Sequence, residues 1–194
     1  MPGFSELKAW LYFIGSDKVE QIIMTSEDNM IYQLRTKAAK RLKAIRQGWK
    51  EDFYREIRDI AEHPVVLRMK RYPHHGSTNC YQHCINVAYY NYQWCRFFHL
   101  DARSAARAGM LHDLFLYDWH THARKTGDHF HGMTHPGRAC RNAKKLFRLN
   151  RVEEDVILHH MWPVTLLSLP RTREGWITTI TDKYCGACET SRRK

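Results

Sequence analysis

The stretch "DARSAARAGMLHDLFL", residues 101–116, decides how the chain is read. Asp101 is a cap-type residue placed before a run of good helix formers. Ala105, Ala108 and Gly109 are small enough to let a neighbouring helix approach closely. The run then ends in Met110, Leu111, Leu114 and Phe115, with His112 and Asp113 set among them. Two groups that are expensive to desolvate therefore stand where a packed helix end would take leucines. Adjacent helical residues point about 100° apart. A site that uses both must lie over the seam between their faces.

Working outward, helical spacing dominates and strand alternation is scarce. "SEDNMIYQLRTKAAKRLKAIRQG" (26–48) opens with cap-type residues and stops at a glycine. "WKEDFYREIRDIAEH" (49–63) spaces Phe53, Ile57 and Ile60 on one face and ends before Pro64. "CYQHCINVAYYNYQWCRFFHL" (80–100) reads as a long aromatic-rich helix. "YDWHTHARKTGDHFHGMT" (117–134) is polar, histidine-rich and broken by glycine, so it is expected to be a loop or a short irregular insert. His135 and "PGRACRNAKKLFRLN" (136–150) predict a helix with Pro136 in its first turn. "RVEEDVILHHMW" (151–162) and "REGWITTITDKYCGACET" (173–190) complete the set. Six to eight helices with short connections and no internal repeat predict an all-α bundle. The expected division is a basic helical extension over 1–64 and a catalytic domain over 65–194, the two also readable as one globular unit.

With 194 residues, 43% hydrophobic and 12% aromatic, the chain can bury a core unaided. Its formal charge of +11 implies an anionic partner or a generally positive field. Nucleic acid and a phosphorylated small molecule both qualify. The run Arg35, Lys37, Lys40, Arg41, Lys43 and Arg46 is either a solvated helix face or a nucleic-acid surface, and salt-dependent binding separates the two. No apolar run reaches the roughly 20 residues of a membrane span. "FSELKAWLYFIGSDK" (4–18) lacks the basic start and cleavage site of a signal peptide. A cytoplasmic protein with reduced thiols is the expectation, and "CGAC" (185–188) has no second CxxC pair to complete a zinc site.

Among 13 histidines, a few recur at the apolar faces or ends of successive helices. They are His83, His112 with Asp113, His135, the pair His159–His160, and then Asp182 within "WITTITDKY". Buried polar groups of this kind are costly unless paired, and a divalent cation offsets the cost for several at once. Imidazole and carboxylate donors without thiolate suit manganese, iron or zinc.

The order His, His-Asp, His, His-His, Asp resembles the HD-domain metal-dependent phosphohydrolases, an all-helical superfamily acting mostly on nucleotides and other phosphate esters. The similarity spans about residues 65–190 and is carried by "YQHCINVA", "AGMLHDL" and "ITDKY". The resemblance implies that His83, His112, Asp113 and Asp182 are the four core ligands. It implies that His135, His159 and His160 are the extra ligands of a binuclear branch, with Asp113 bridging two ions and His112 beside it. A water activated by the metals would then attack phosphorus without any covalent enzyme nucleophile. The chain lacks the glutamate- and glycine-containing signature of the cyclic-dinucleotide branch, having "HHMWPVTLLSLP" instead. It also lacks the lysine that branch places soon after its His-Asp pair. Leaving-group protonation falls to His74, His75, His129, His131 or Lys183. Arg71, His74, His75, His131 and Lys183 are the expected substrate contacts, with Ser77, Thr78, Arg124 and Lys125 further candidates. The alternative is a basic nucleic-acid-binding or regulatory module whose metal site is degenerate or structural.

Overall fold

The computed structural model of the chain describes residues 26–191, so the stretch 4–18 lies outside the described residues. Eight α-helices are present among them: α1 (Ser26–Ala61), α2 (Pro64–Leu67), α3 (Cys80–Phe97), α4 (Ala102–Leu111), α5 (Trp119–Thr126), α6 (His131–Leu146), α7 (Arg151–His159) and α8 (Arg173–Ser191). A 3-10 turn covers Arg68–Arg71, and no strand occurs among the described residues. The all-α expectation holds. No described helix is long and apolar enough to cross a membrane.

The chain forms two compact units, Met1–Trp49 and Lys50–Lys194. Residues 50–61 therefore group with the second unit, where Phe53, Ile57 and Ile60 enter the core. In the first unit, Arg35, Lys37, Lys40, Arg41 and Lys43 are exposed, as are Met30, Ile31, Tyr32 and Leu34.

Within the second unit α4 is the hub, touching α3, α6, α7 and α8. Asp101 caps it by accepting from the Ser104 amide. Its small residues work as the sequence suggests: a Cβ on Gly109 would fall 2.8 Å from the Ala88 Cα of α3. Only glycine permits that approach of two backbones. Arg107 ties three elements together, reaching Asp59 at 2.6 Å and Glu153 at 3.1 Å. α7 opens with a full capping box, Asn150 and Glu153 satisfying each other's amides.

Two local expectations are corrected. The stretch 117–134 is not all loop. Asp118 caps α5 by accepting from the His120 amide, and Gly127 ends it in the left-handed region at φ 74°. And α6 starts at His131, so Pro136 lies inside the helix. Asp128 makes the earlier start possible, accepting from the Phe130 amide and the Thr134 hydroxyl.

Candidate metal centre

Five helices deliver polar side chains to one buried spot. α3 contributes His83, the end of α4 contributes His112 and Asp113, α6 contributes His135, the end of α7 contributes His160, and α8 contributes Asp182. All but Asp182 are buried, and its side chain is only 13% exposed. Three groups among them bring ligand atoms within 4.8 Å of one another: His83–His112–Asp113, His112–His160–Asp182 and Asp113–His135–His160.

The outer ring nitrogens fix what the inner ones can do. His112 Nδ1 sits 2.8 Å from the Gly109 carbonyl, His135 Nδ1 2.8 Å from the His131 carbonyl, and His160 Nδ1 2.9 Å from the Ile157 carbonyl. A carbonyl oxygen can only accept, so in each ring Nδ1 carries the proton. In its neutral form each imidazole then presents the Nε2 lone pair inward, the orientation that metal-ligating histidines take from their outer partners. Each Nδ1 contact is local, three or four residues back along the chain. His83 is oriented differently: Nδ1 is 2.8 Å from Glu189 and Nε2 3.0 Å from Asp182.

Those inward lone pairs are poorly compensated. His135 Nε2 and His160 Nε2 face each other at 2.9 Å, a repulsive arrangement for two acceptors with nothing between them. Two nitrogens each about 2.0–2.1 Å from one cation, at right angles across it, would be about 2.9 Å apart. His112 Nε2 and Asp113 Oδ1 are buried without a hydrogen-bond partner. His135 Nε2 comes within 3.2 Å of Asp113 Oδ1 but is not aligned to donate to it. Such orphaned atoms, converging from several helices, fit a divalent cation in donor type, tautomer and spacing.

Burial opposes charge on Asp113 and Asp182, yet the surrounding imidazoles hold both carboxyls well below the usual range: His112 and His135 for Asp113, His112 and His83 for Asp182. Burial opposes charge on His112 and His83 as well, yet Asp113 and Asp182 beside His112, and Asp182 and Glu189 beside His83, raise both well above the usual imidazole range. A cation held by the carboxylates would displace those protons. Burial, then His112 and His135, push His160 down to about 3, which keeps it a neutral donor.

Of the remaining expected residues, His159 is not brought to the cluster. The residue beside it in the helix turns toward the site, so His159 points elsewhere; its Nδ1 lies 2.9 Å from the Asp155 carbonyl and 2.8 Å from the Asp155 carboxylate. His74 enters the centre, with Nε2 3.1 Å from Asp113 Oδ2 and Nδ1 buried and unpartnered. His75 stands half-buried at its edge, in one potential ligand group with His74 and His83. Burial first, then neighbouring imidazoles, lower it to about 4. His131 receives or gives a hydrogen bond at Tyr117 Oη (2.9 Å) and lies parallel to the Trp119 ring. Lys183 donates to the His160 carbonyl at 2.7 Å and to Asp182 at 3.2 Å, so it braces two ligands from behind. Arg71 and His129 are exposed and join none of the ligand groups found among the described residues.

Three participants escaped the sequence reading. Glu189 orients His83 and is itself held by Asn86 at 2.8 Å. Its signal was there, seven residues after Asp182 and so two turns along the same face. Cys80 joins a group with His74 and Asp113, and its thiol donates to the Asp113 carbonyl at 3.5 Å. Burial pushes that thiol up, so it stays protonated. Trp119 walls the site beside His131 and nothing in its spacing announced it.

A scan against models of known families, a search of curated proteins and a search of solved structures each returned no match.

Proposed function

We propose that the chain is a metal-dependent phosphohydrolase that cleaves a phosphomonoester or phosphodiester of a small, nucleotide-like substrate. The observation that carries the reading is the convergence on Asp113 of the Nε2 atoms of His112, His135 and His160, each ring anchored through Nδ1 to a backbone carbonyl. The order of these residues along the chain is the one that resembles the HD-domain superfamily.

The donors sort into two sets that share Asp113. Oδ2 faces His74 and His112, at 3.1 and 3.4 Å, with His83 and Asp182 alongside. Oδ1 faces His135 and His160, at 3.2 and 3.7 Å. A carboxylate approached from both sides suits a bridge between two ions of iron, manganese or zinc. The chemistry such cations supply is an activated water and polarisation of a phosphoryl oxygen. The chain's own residues do the rest. Glu189 and three backbone carbonyls hold the rings in register, Lys183 fixes Asp182, and Trp119 and Phe115 limit water on one side. His75 and His131, both lowered to about 4 and both half-buried, are neutral at physiological pH. As neutral rings at the rim they can hydrogen-bond a substrate or a water.

The test is an anaerobic preparation with metal analysis, followed by assays of p-nitrophenyl phosphate and bis-p-nitrophenyl phosphate with each metal. The expected result is about two first-row ions per chain and turnover that a chelator removes. Metal without turnover on any phosphate ester would reduce the centre to a structural one. The exposed cations of α1 favour a second reading, nucleic-acid binding. It expects affinity for RNA or DNA that falls steeply with salt and is independent of the metal.

A further inference from the structure

Beside the metal centre lies a hollow lined by Phe115, Tyr117, Arg138, Arg141, Asn142 and Lys145. It combines a wall shared with the histidines and a concentration of cations on one helix. Phe115 is that wall. Its ring centroid is 4.9 Å from His131 and 5.7 Å from His135 on the inner side.

The cations follow from the register of α6. His135, Arg138, Arg141 with Asn142, and Lys145 succeed one another in steps of three or four and so share a face. At 1.5 Å per residue, Arg138 lies about 4–5 Å along the axis from His135, Arg141 about 9 Å and Lys145 about 15 Å. Their partners differ. Arg138 is paired with Asp128, and the neighbouring Lys144 meets Glu154 at 2.7 Å. Arg141 and Lys145 are exposed and have no ion pair among the described residues. Two uncompensated positive charges thus stand where the helix leaves the metal centre.

The aromatic groups narrow the ligand. One face of Tyr117 is stacked on His122 at 3.8 Å, Arg138 lies over the ring at 5.4 Å, and its hydroxyl is engaged with His131. With Tyr117 so engaged, the rest of the polar lining offers charge and hydrogen-bond donors. Asn142 is itself pinned, donating to the Leu114 carbonyl at 2.8 Å, which fixes α6 against the wall.

We propose that this hollow is an anion subsite that holds a second phosphate group of the substrate, at Arg141 and Lys145, while the first phosphate is at the metal centre. The assignment rests on the phosphohydrolase reading and sharpens it. Because the Phe115 ring stands between the two places, the two phosphates are separated by a sugar or comparable spacer. A directly joined diphosphate would remain on one side of the ring. The substrate class is a spaced bisphosphate or a phosphodiester carrying a further phosphate.

The experiment titrates the metal-loaded full chain with adenosine 3′,5′-bisphosphate and, separately, with 5′-AMP, by calorimetry. Wild type is expected to bind the bisphosphate at least tenfold tighter. In Arg141→Gln/Lys145→Gln that advantage disappears, 5′-AMP binding stays within about twofold, and metal content and Tm are unchanged. Arg148→Gln/Arg151→Gln, which removes two exposed charges elsewhere, is expected to leave both affinities intact. Equal loss for both nucleotides, no loss, or the same loss in the control pair would overturn the subsite. So would a double variant that loses only a single-stranded oligonucleotide, which would make the hollow a nucleic-acid contact. Hydrolysis of the two p-nitrophenyl esters is followed in parallel. Selective loss of bisphosphate binding supports the subsite even if neither ester turns over, and then only the phosphohydrolase reading fails.

Discussion

Two buried polar networks lie on the same helices and behave in opposite ways. Eight residues beyond His83 on α3, Asn91 is fully buried between α4 and α8. Its amide donates to the Ala105 carbonyl at 3.2 Å and to Thr178 at 2.9 Å, and its carbonyl accepts from the Thr181 hydroxyl. Thr178 passes its own proton to the Glu174 carbonyl at 2.9 Å. Every donor there has an acceptor. The histidine cluster has acceptors facing acceptors, and buried atoms with no partner. A saturated network is complete in the folded chain and contributes stability and specificity of packing. An unsaturated one of the same burial is complete only with something added. Saturation, more than burial or residue type, separates the structural network from the candidate metal centre.

The largest expected effect comes from removing the residue on which the unsaturated network turns. Asp113→Ala deletes the carboxylate whose two oxygens face the two sets of imidazoles. It is expected to lose bound metal by elemental analysis and to lower phosphoester turnover by a factor on the order of a thousand or more. Wild-type metal content with retained turnover would break the comparison at its centre.

Removing the metal is the next largest. Ligand bound only to the native state stabilises by about 4 kcal/mol at a thousandfold excess over Kd. For a domain of this size that is roughly 8–16 °C in Tm. Chelation is expected to lower the melting temperature by that order, with reloading restoring it. The shift should shrink on acidification, because protons compete for His112, His135 and His160, and metal affinity falls as they bind. A melting curve indifferent to chelation would mean that the cluster is satisfied as it stands.

Asn91→Ala attacks the saturated network instead. It opens a small cavity and strips Ala105 and Thr178 of a donor, a cost of about 2–3 kcal/mol. Tm should fall by roughly 4–12 °C while metal content stays at the wild-type value. Loss of metal in this variant would show that the two networks are coupled through α3.

The contrast also explains what was legible in the sequence. Helix periodicity and caps gave the all-α architecture, because Asp101, Asn150 and the small faces of α4 act locally. His83, His112, Asp113, His135, His160 and Asp182 were visible because each is a polar residue at an apolar position. Saturation is not visible in that way. Nothing in the residue types distinguishes His83, which needs Glu189 from another helix, from His112, which is oriented by its own turn. Cys80 and Trp119 arrive through packing, which single-residue patterns do not encode. The short helix α5 was hidden because its strong signals, Asp118 and Gly127, enclose only eight residues.

His159 offers the smallest and most discriminating prediction, since it stands next to a ligand and was expected to be one. Its Nδ1 meets Asp155, whose carboxylate also accepts from the amides of Arg171 and Thr172 and from the Thr172 hydroxyl, at 2.7–3.1 Å. That carboxylate pins the start of α8 to α7, and it belongs with the saturated class. Removing one of several donors leaves it well satisfied. His159→Ala is therefore expected to cost about 1 kcal/mol, roughly 2–4 °C in Tm, and to leave metal content and turnover unchanged. His160→Ala, one residue on, should lose metal from the His135 side. If the two substitutions reduce metal equally, His159 is a ligand after all. His159 shares the carbonyl-directed tautomer, so the side of the helix that a ring occupies would then not be what selects the donors.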